Sequence, residues 1–337
     1  MNKLIKHIIL VAGCVMAAAL QPFELRGQTD GQLSQYWAVP TLYNPAAAGS
    51  GAGDVVRMRG GARLQWVGID NAPMSFVLTG DMPFKIANKR IGLGVVAMQE
   101  SAGLYKSLSV GAQISYKLRK LGGEWSGGLQ IGMYDQSFKG SEVYLPGDDD
   151  YHEGADEAIP TQDIHGTALD LAAGLRYEHK WFHAGIGCTH LTSPTITMNA
   201  GDAGGGSETA GGQRYEFKAS RTLYFTAGSN IPIKNTLFEI MPSVLVKSDF
   251  TFTTGQLDLR GRWKKFLSAG VGYRWNEGVV ISLAAEIKDF YIGYSYDYST
   301  SAIHKASSGS HELFLGYALK LNLSDKNRHR HKSIRIM

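Results

Sequence analysis

Beyond Leu20 the chain lacks long hydrophobic runs. No later window approaches the ~18 consecutive apolar residues that a membrane-crossing helix requires. Mean hydropathy is −0.15, so a helical membrane protein is excluded. Only two cysteines occur in 337 residues, Cys14 and Cys188, too few for a disulfide framework or a cysteine-rich metal site. There are only 10 prolines, and a soluble α/β composition is not what remains. Charge of one sign is also missing from the body of the chain. The net charge of +4 owes much to the tail from Leu321 to Met337, where Lys326, Arg328, Arg330, Lys332 and Arg335 face Asp325 alone. A near-neutral body gives no reason to expect a nucleic-acid partner.

What is present begins with an export signal. Lys3, Lys6 and His7 precede an apolar stretch from Ile8 to Leu20, and polar residues dominate by Gln28, the order of a secretory leader. The expected signal peptide is 1–27. An alternative is lipidation at Cys14, because Val11, Ala12 and Gly13 precede it as in a lipoprotein box. If Cys14 leaves with the signal, Cys188 is the only thiol in the mature chain and no internal disulfide forms.

The dominant pattern is alternation with a period of two. Leu257, Leu259, Gly261 and Trp263 alternate with Gln256, Asp258, Arg260, Arg262 and Lys264, and Ala269, Val271, Tyr273 and Trp275 with Ser268, Gly270, Gly272 and Arg274. Successive strand side chains face opposite sides, so lipid outside and water inside demand this pattern. Such segments fall near 54–69, 73–84, 90–99, 104–118, 123–138, 164–178 and 180–190. Others fall near 214–232, 236–248, 254–264, 266–276, 278–288, 289–298 and 310–321. Most reach the ~9–11 residues of a tilted membrane strand. The fold expected is all-β, a transmembrane antiparallel up-and-down β-barrel of about 14 strands over 54–321.

Connection lengths support that count. The longest, 139–163, 191–213 and 299–309, are all odd-numbered, while the even connections are short. Short periplasmic turns and longer extracellular loops are the known asymmetry of such barrels. Trp66, Trp125, Trp181, Tyr224, Trp263, Trp275 and Tyr298 are expected in the aromatic girdles at the membrane interfaces. Strand glycines such as Gly92, Gly128, Gly174 and Gly187 permit curvature or a close-packed interior. Arg57, Arg59, Arg63, Arg260, Arg262 and Arg274 are expected in the lumen.

Two stretches do not follow from barrel physics. The first, QLSQYWAVPTLYNPAAAGS, contains Gln32, Ser34, Gln35 and Tyr36, then Asn44, Pro45, Ala46, Ala48 and Gly49. The second, in the last hairpin, contains Tyr294, Tyr296 and Asp297, then His311 and Glu312, then Tyr317. Both resemble the PorP/SprF family of outer-membrane proteins of the type IX secretion system. The resemblance implies a non-enzymatic accessory subunit of the cell outer membrane. It would bind periplasmic lipoprotein and ring components and assist export or surface anchoring of adhesin-type cargo. A porin-like or transporter barrel conducting small solutes is the alternative. The mostly polar tail after Leu321 departs from barrels that end on an aromatic residue.

The residues give the first stretch a reading of their own. Asn44-Pro45 interrupts regular structure, so 28–53 is expected as a periplasmic N-terminal segment serving as a contact, plug or seal. Asp297 and Glu312 are candidates for pairing with Arg274, Arg262 or Arg260, since buried charges need partners. The tail 322–337 is expected as a basic periplasmic extension.

Catalysis finds no anchor in the sequence. His165, His179, His183 and His190 lie on neighbouring segments, but no spacing fixes a triad. His179 and His183 straddle a turn and should splay apart. The acidic stretch 147–163 lacks the ligand register of a calcium loop. The glycine-rich stretch 201–212 lacks the lysine of a phosphate loop. No cofactor and no metal are expected; outer-membrane lipid is.

Overall fold

A computed structural model describes residues 30–51, 54–86, 89–143, 160, 162–200 and 215–320. The signal peptide with Cys14, most of the acidic stretch 147–163, the glycine-rich stretch 201–212 and the basic tail 322–337 lie outside the described residues. Among the described residues no helix is long and apolar enough to cross a membrane.

The chain crosses with strands. The first seven are β1 (Val55–Leu64), β2 (Met74–Ile86), β3 (Lys89–Ala102), β4 (Tyr105–Lys120), β5 (Gly123–Phe138), β6 (Ile164–Glu178) and β7 (Phe182–Thr189). Next come β8 (Thr195–Ala200), β9 (Tyr215–Lys218), β10 (Thr222–Ser229) and β11 (Ile231–Pro232). The last are β12 (Phe238–Ser248), β13 (Thr253–Trp263), β14 (Leu267–Arg274), β15 (Gly278–Ile287), β16 (Phe290–Ser299) and β17 (Ser310–Lys320). Setting aside β8, β9 and the two-residue β11, fourteen strands form one closed antiparallel cylinder. β1 closes it by pairing with β2 on one side and β17 on the other, with Arg63 opposite Glu312. β7 pairs directly with β10, so the chain between them leaves and re-enters the wall.

Alternation is realised throughout. Leu78, Leu129, Leu175 and Leu259 point outward with more than half their surface free, whereas Val77, Gln130, Arg176 and Asp258 on the same strands are buried inside. In water such an outer wall would be costly, at ~25 cal/mol for each Å² of apolar surface; in lipid it is the contact surface. A closed cylinder also removes unpaired sheet edges, which hydrocarbon cannot solvate.

The structure corrects three expectations. The segment 214–232 is not one strand: β9 leaves the cylinder to pair with β8, within what reads as a loop, and only β10 spans the wall. The physical reason is a second apolar cluster, in which Ile196, Met198 and Ala219 pack on Tyr134 and Ile164 at the long-loop end. The strand expected over 54–69 stops at Leu64. There Trp66, Gly68 and Asn71 adopt positive φ and turn the chain. Tyr224 does not join a girdle. It lies opposite Gly187 in the β7–β10 register and points inward, 4% exposed. Trp125, Trp181, Trp263 and Tyr298 are exposed on the outside.

Candidate functional site

The lumen is filled by the chain's own N-terminal stretch. Residues 31–50 run down inside the cylinder from the end that carries the long loops to the end that carries the short turns, and then enter β1. The stretch is compact because Pro40 and Pro45 each start a short helical piece, Pro40–Tyr43 and Pro45–Ala47. Asn44 joins them: its side chain caps the second piece by accepting from the Ala46 N–H at 2.9 Å. Its amide also donates to the carbonyls of Leu175 at 3.0 Å and Ile186 at 3.3 Å, on two wall strands. Leu33, Tyr36, Val39, Tyr43 and Ala46 are buried.

Glycine makes this approach possible. A side chain on Gly92 would meet the Ala48 carbonyl, one on Gly128 the backbone of Ala46, and one on Gly187 the Tyr43 carbonyl. Gly49 has φ of 62° and its N–H donates to Asp81 at 2.9 Å. The wall is smooth where the plug backbone lies on it.

Polar anchors fix the plug along its length. Ser34 is the centre of the upper group. Its N–H and that of Gln35 each donate to Glu312 at 2.7 Å. Its hydroxyl donates to Asp297 at 2.6 Å and accepts from Arg63 at 2.7 Å and Arg274 at 2.8 Å. Arg63 pairs with Asp297 at 2.8 Å and Glu312 at 3.3 Å, and Arg274 pairs with Asp297 at 3.4 Å. Each buried charge thus has a partner of opposite sign. Lower down, Gln113 donates to the Thr41 carbonyl at 2.8 Å and Ser115 to that of Ala48 at 2.8 Å. Lys117 donates to the Ser50 hydroxyl at 2.6 Å, and Arg57 to the Ser50 carbonyl.

The top of the plug is held by Asp30. It contacts His190 Nε2 at 3.0 Å and accepts from Tyr224 at 2.6 Å, while Lys247 donates to its backbone carbonyl. The other ring nitrogen of His190 lies 3.1 Å from Asp170. Burial alone would raise the Asp30 carboxyl, but the His190 imidazolium and Lys247 hold it well below the usual carboxylate range. Burial alone would lower His190, but Asp30 and Asp170 raise it to about 10.

The two sequence motifs therefore meet in part. Gln32, Ser34, Gln35, Tyr36, Asn44 and Pro45 are buried in the plug, and Asp297 and Glu312 face them from the last hairpin. Of the arginines expected to pair with those acids, Arg274 does. Arg262 instead pairs with Glu239, and Arg260 lies over the Trp37 ring. Tyr294, Tyr296, His311 and Tyr317 are not brought to the plug. They take the opposite parity and line the outer wall, where the Tyr294 hydroxyl meets His311 Nδ1 at 2.7 Å. His179 stays in its turn, its ring tilted against Phe182, while His183 points inward, so the two splay apart as expected. Sequence reasoning missed Asp30, Tyr224, Lys247 and Glu100 as anchors, the last accepting from the Gly31 N–H at 3.1 Å. Strand parity would have placed the last three inside, but nothing in the sequence marks Asp30. Among the described residues no group of three or more potential ligands is arranged to hold a metal ion.

A plug sequence and an inward acid pair, far apart in the chain and joined in one lumen, accord with the family comparison. The model of the type IX secretion system membrane protein PorP/SprF matches residues 25–317. The chain belongs to the PorP/SprF family. It is an outer-membrane protein with a role in type IX secretion, and works with components of that machinery. No curated protein matches it. Among solved structures it is similar to the toluene transporter TbuX of Ralstonia pickettii, with 10% identity, 84% of this chain and 93% of that chain covered, and a TM-score of 0.47. A Pseudomonas aeruginosa FadL homologue is similar at 12% identity, with 83% and 93% covered and a TM-score of 0.48.

Proposed function

We propose that this PorP/SprF protein is a non-enzymatic accessory subunit. In this reading it binds periplasmic lipoprotein and ring components at the end that carries the short turns, and it assists export or surface anchoring of adhesin-type cargo. The filled lumen is the observation that supports binding over conduction. A solute channel needs a continuous wet path, whereas here Ser34, Asn44, Ala48 and Ser50 tie the plug to the wall from one end of the cylinder to the other. The plug also leads directly into the short-turn rim, so the motif residues Gln32 to Gly49 link the lumen to that docking face.

Deletion of residues 32–49 tests the reading. Affinity purification of the full-length protein from native membranes should recover secretion-machinery components, and the deletion should lose at least one of them while the barrel still assembles. Recovery of the same partners from the deletion, together with a large steady conductance of the parent protein in planar bilayers, would support the solute channel instead.

A further inference from the structure

Two arginines in the short-turn half of the lumen stand apart from the paired charges above. Arg59 comes from β1 and Arg260 from β13, and both point inward. Among the described residues neither has a carboxylate oxygen within 4.0 Å. Arg59 has its guanidinium carbon 4.4 Å from the Tyr291 ring centre, and its one hydrogen bond is a 3.4 Å contact to the Met58 carbonyl. Arg260 has its guanidinium carbon 3.8 Å from the Trp37 ring centre, and its Nε is buried without a hydrogen bond. Asp258, two residues away on the same face, accepts from Gln256.

These side chains are seated. Arg59 occupies the space a side chain on Gly316 would take, and Arg260 does the same at Gly270. Trp37 in turn packs against the plug core that contains Tyr291. Each guanidinium has one face against a ring, and the N–H groups not turned to the wall remain for recognition. Their edge matches a carboxylate in plane, two bonds at a time. An aromatic face beneath it attracts the cation and restricts the fork further. Acids lie nearby, Asp258 beside Arg260 and Glu286 and Asp81 around Arg59, but none is in direct contact, and direct contact with a carboxylate is what a partly buried cation favours.

We propose that Arg59 and Arg260 form a docking site for the carboxylates of an acidic peptide segment that enters through the short-turn mouth. The two forks rest on different rings, Tyr291 and Trp37, and come from different strands, so an acidic segment can offer each fork its own carboxylate. The proposal rests on the reading of this mouth as the docking face, and it names the chemistry of the partner.

The test uses full-length protein in detergent micelles and a dye-labelled ten-residue peptide of alternating Asp and Gly, followed by fluorescence anisotropy. Binding should weaken at least tenfold in Arg59→Gln and in Arg260→Gln, and should fall as salt rises. Arg260→Lys keeps the charge and loses the planar fork, so it should also bind more weakly than the parent. Acetate and inorganic phosphate should compete only at concentrations far above that of the peptide. Heat-modifiable mobility on gels establishes that each variant has folded, and Arg59→Lys replaces any that has not. Absence of peptide binding, equal binding by parent and folded variants, or displacement by phosphate at peptide concentrations would each overturn the proposal. Recovery of machinery components that is unaltered in these variants would overturn it while leaving the accessory-subunit reading intact.

Discussion

Removal of the Arg63 guanidinium should loosen the plug without unfolding the barrel. In Arg63→Met, Asp297 and Glu312 stay buried and lose the cation that lies 2.8 Å and 3.3 Å from them. Arg274, 3.4 Å from Asp297, remains as a partial partner. Breaking one side of a buried pair destabilises by about 3–5 kcal/mol, through the charge left behind. The wall keeps its continuous strand pairing, so the loss falls on the seated plug, which hangs on Glu312 through Ser34 and Gln35. At about 1.4 kcal/mol per tenfold, the unseated fraction should rise by roughly two to three and a half powers of ten. A cysteine at Val39, which is fully buried in the plug, reports it. In a Cys188→Ser background, Val39→Cys should react slowly with a water-soluble thiol reagent, and at least a hundredfold faster once Arg63→Met is added. Adding Asp297→Asn and Glu312→Gln removes the orphaned charges and should restore most of the protection. Unchanged labelling in folded Arg63→Met would refute the claim that this charge cluster seats the plug.

Other positions separate plug from wall. Gly128→Val should raise the same labelling rate, because a side chain there collides with the Ala46 backbone; overpacking of this kind costs about 1–3 kcal/mol. Gly127→Val, one residue along and outward-facing, has only ordinary contact with Leu175 at 3.7 Å and should change nothing. His190 should titrate near pH 10 rather than 6.5, measured by NMR and assigned by His190→Asn. A raised pKa means that its support of Asp30 is complete below about pH 6.5 and is lost as pH rises through about 10. Asp30 is depressed, so its own contribution is complete above its ordinary value of 3.8 and fails only below it. A His190 resonance that titrates near its ordinary value would show that the Asp30 contact does not hold in solution.

The wall was legible in the sequence because its rule is local. Each residue's neighbours two positions away already state which side faces lipid, and turn parity supplies the topology. Thus Leu257 and Leu259 face out, and Asp258, Arg260 and Arg262 face in, as the alternation reads. Where the rule fails, a non-local contact overrides it. β9 leaves the cylinder because Phe217 and Tyr215 find Ile196 and Tyr134. Tyr224 leaves the girdle because Asp30, 194 residues earlier in the chain, needs its hydroxyl.

The order of residues by itself determined a closed barrel and the two motifs that mark its family. The tertiary structure decided what those motifs do to each other: Ser34 lies 278 residues from Glu312 and is joined to it inside the lumen. It also divided the last hairpin, turning Asp297 and Glu312 toward the plug and Tyr294 and His311 toward lipid. Parity assigns a side of the wall, but only closure of β1 on β17 brings the two ends of the chain together. Only then does a buried carboxylate select the backbone N–H groups that satisfy it.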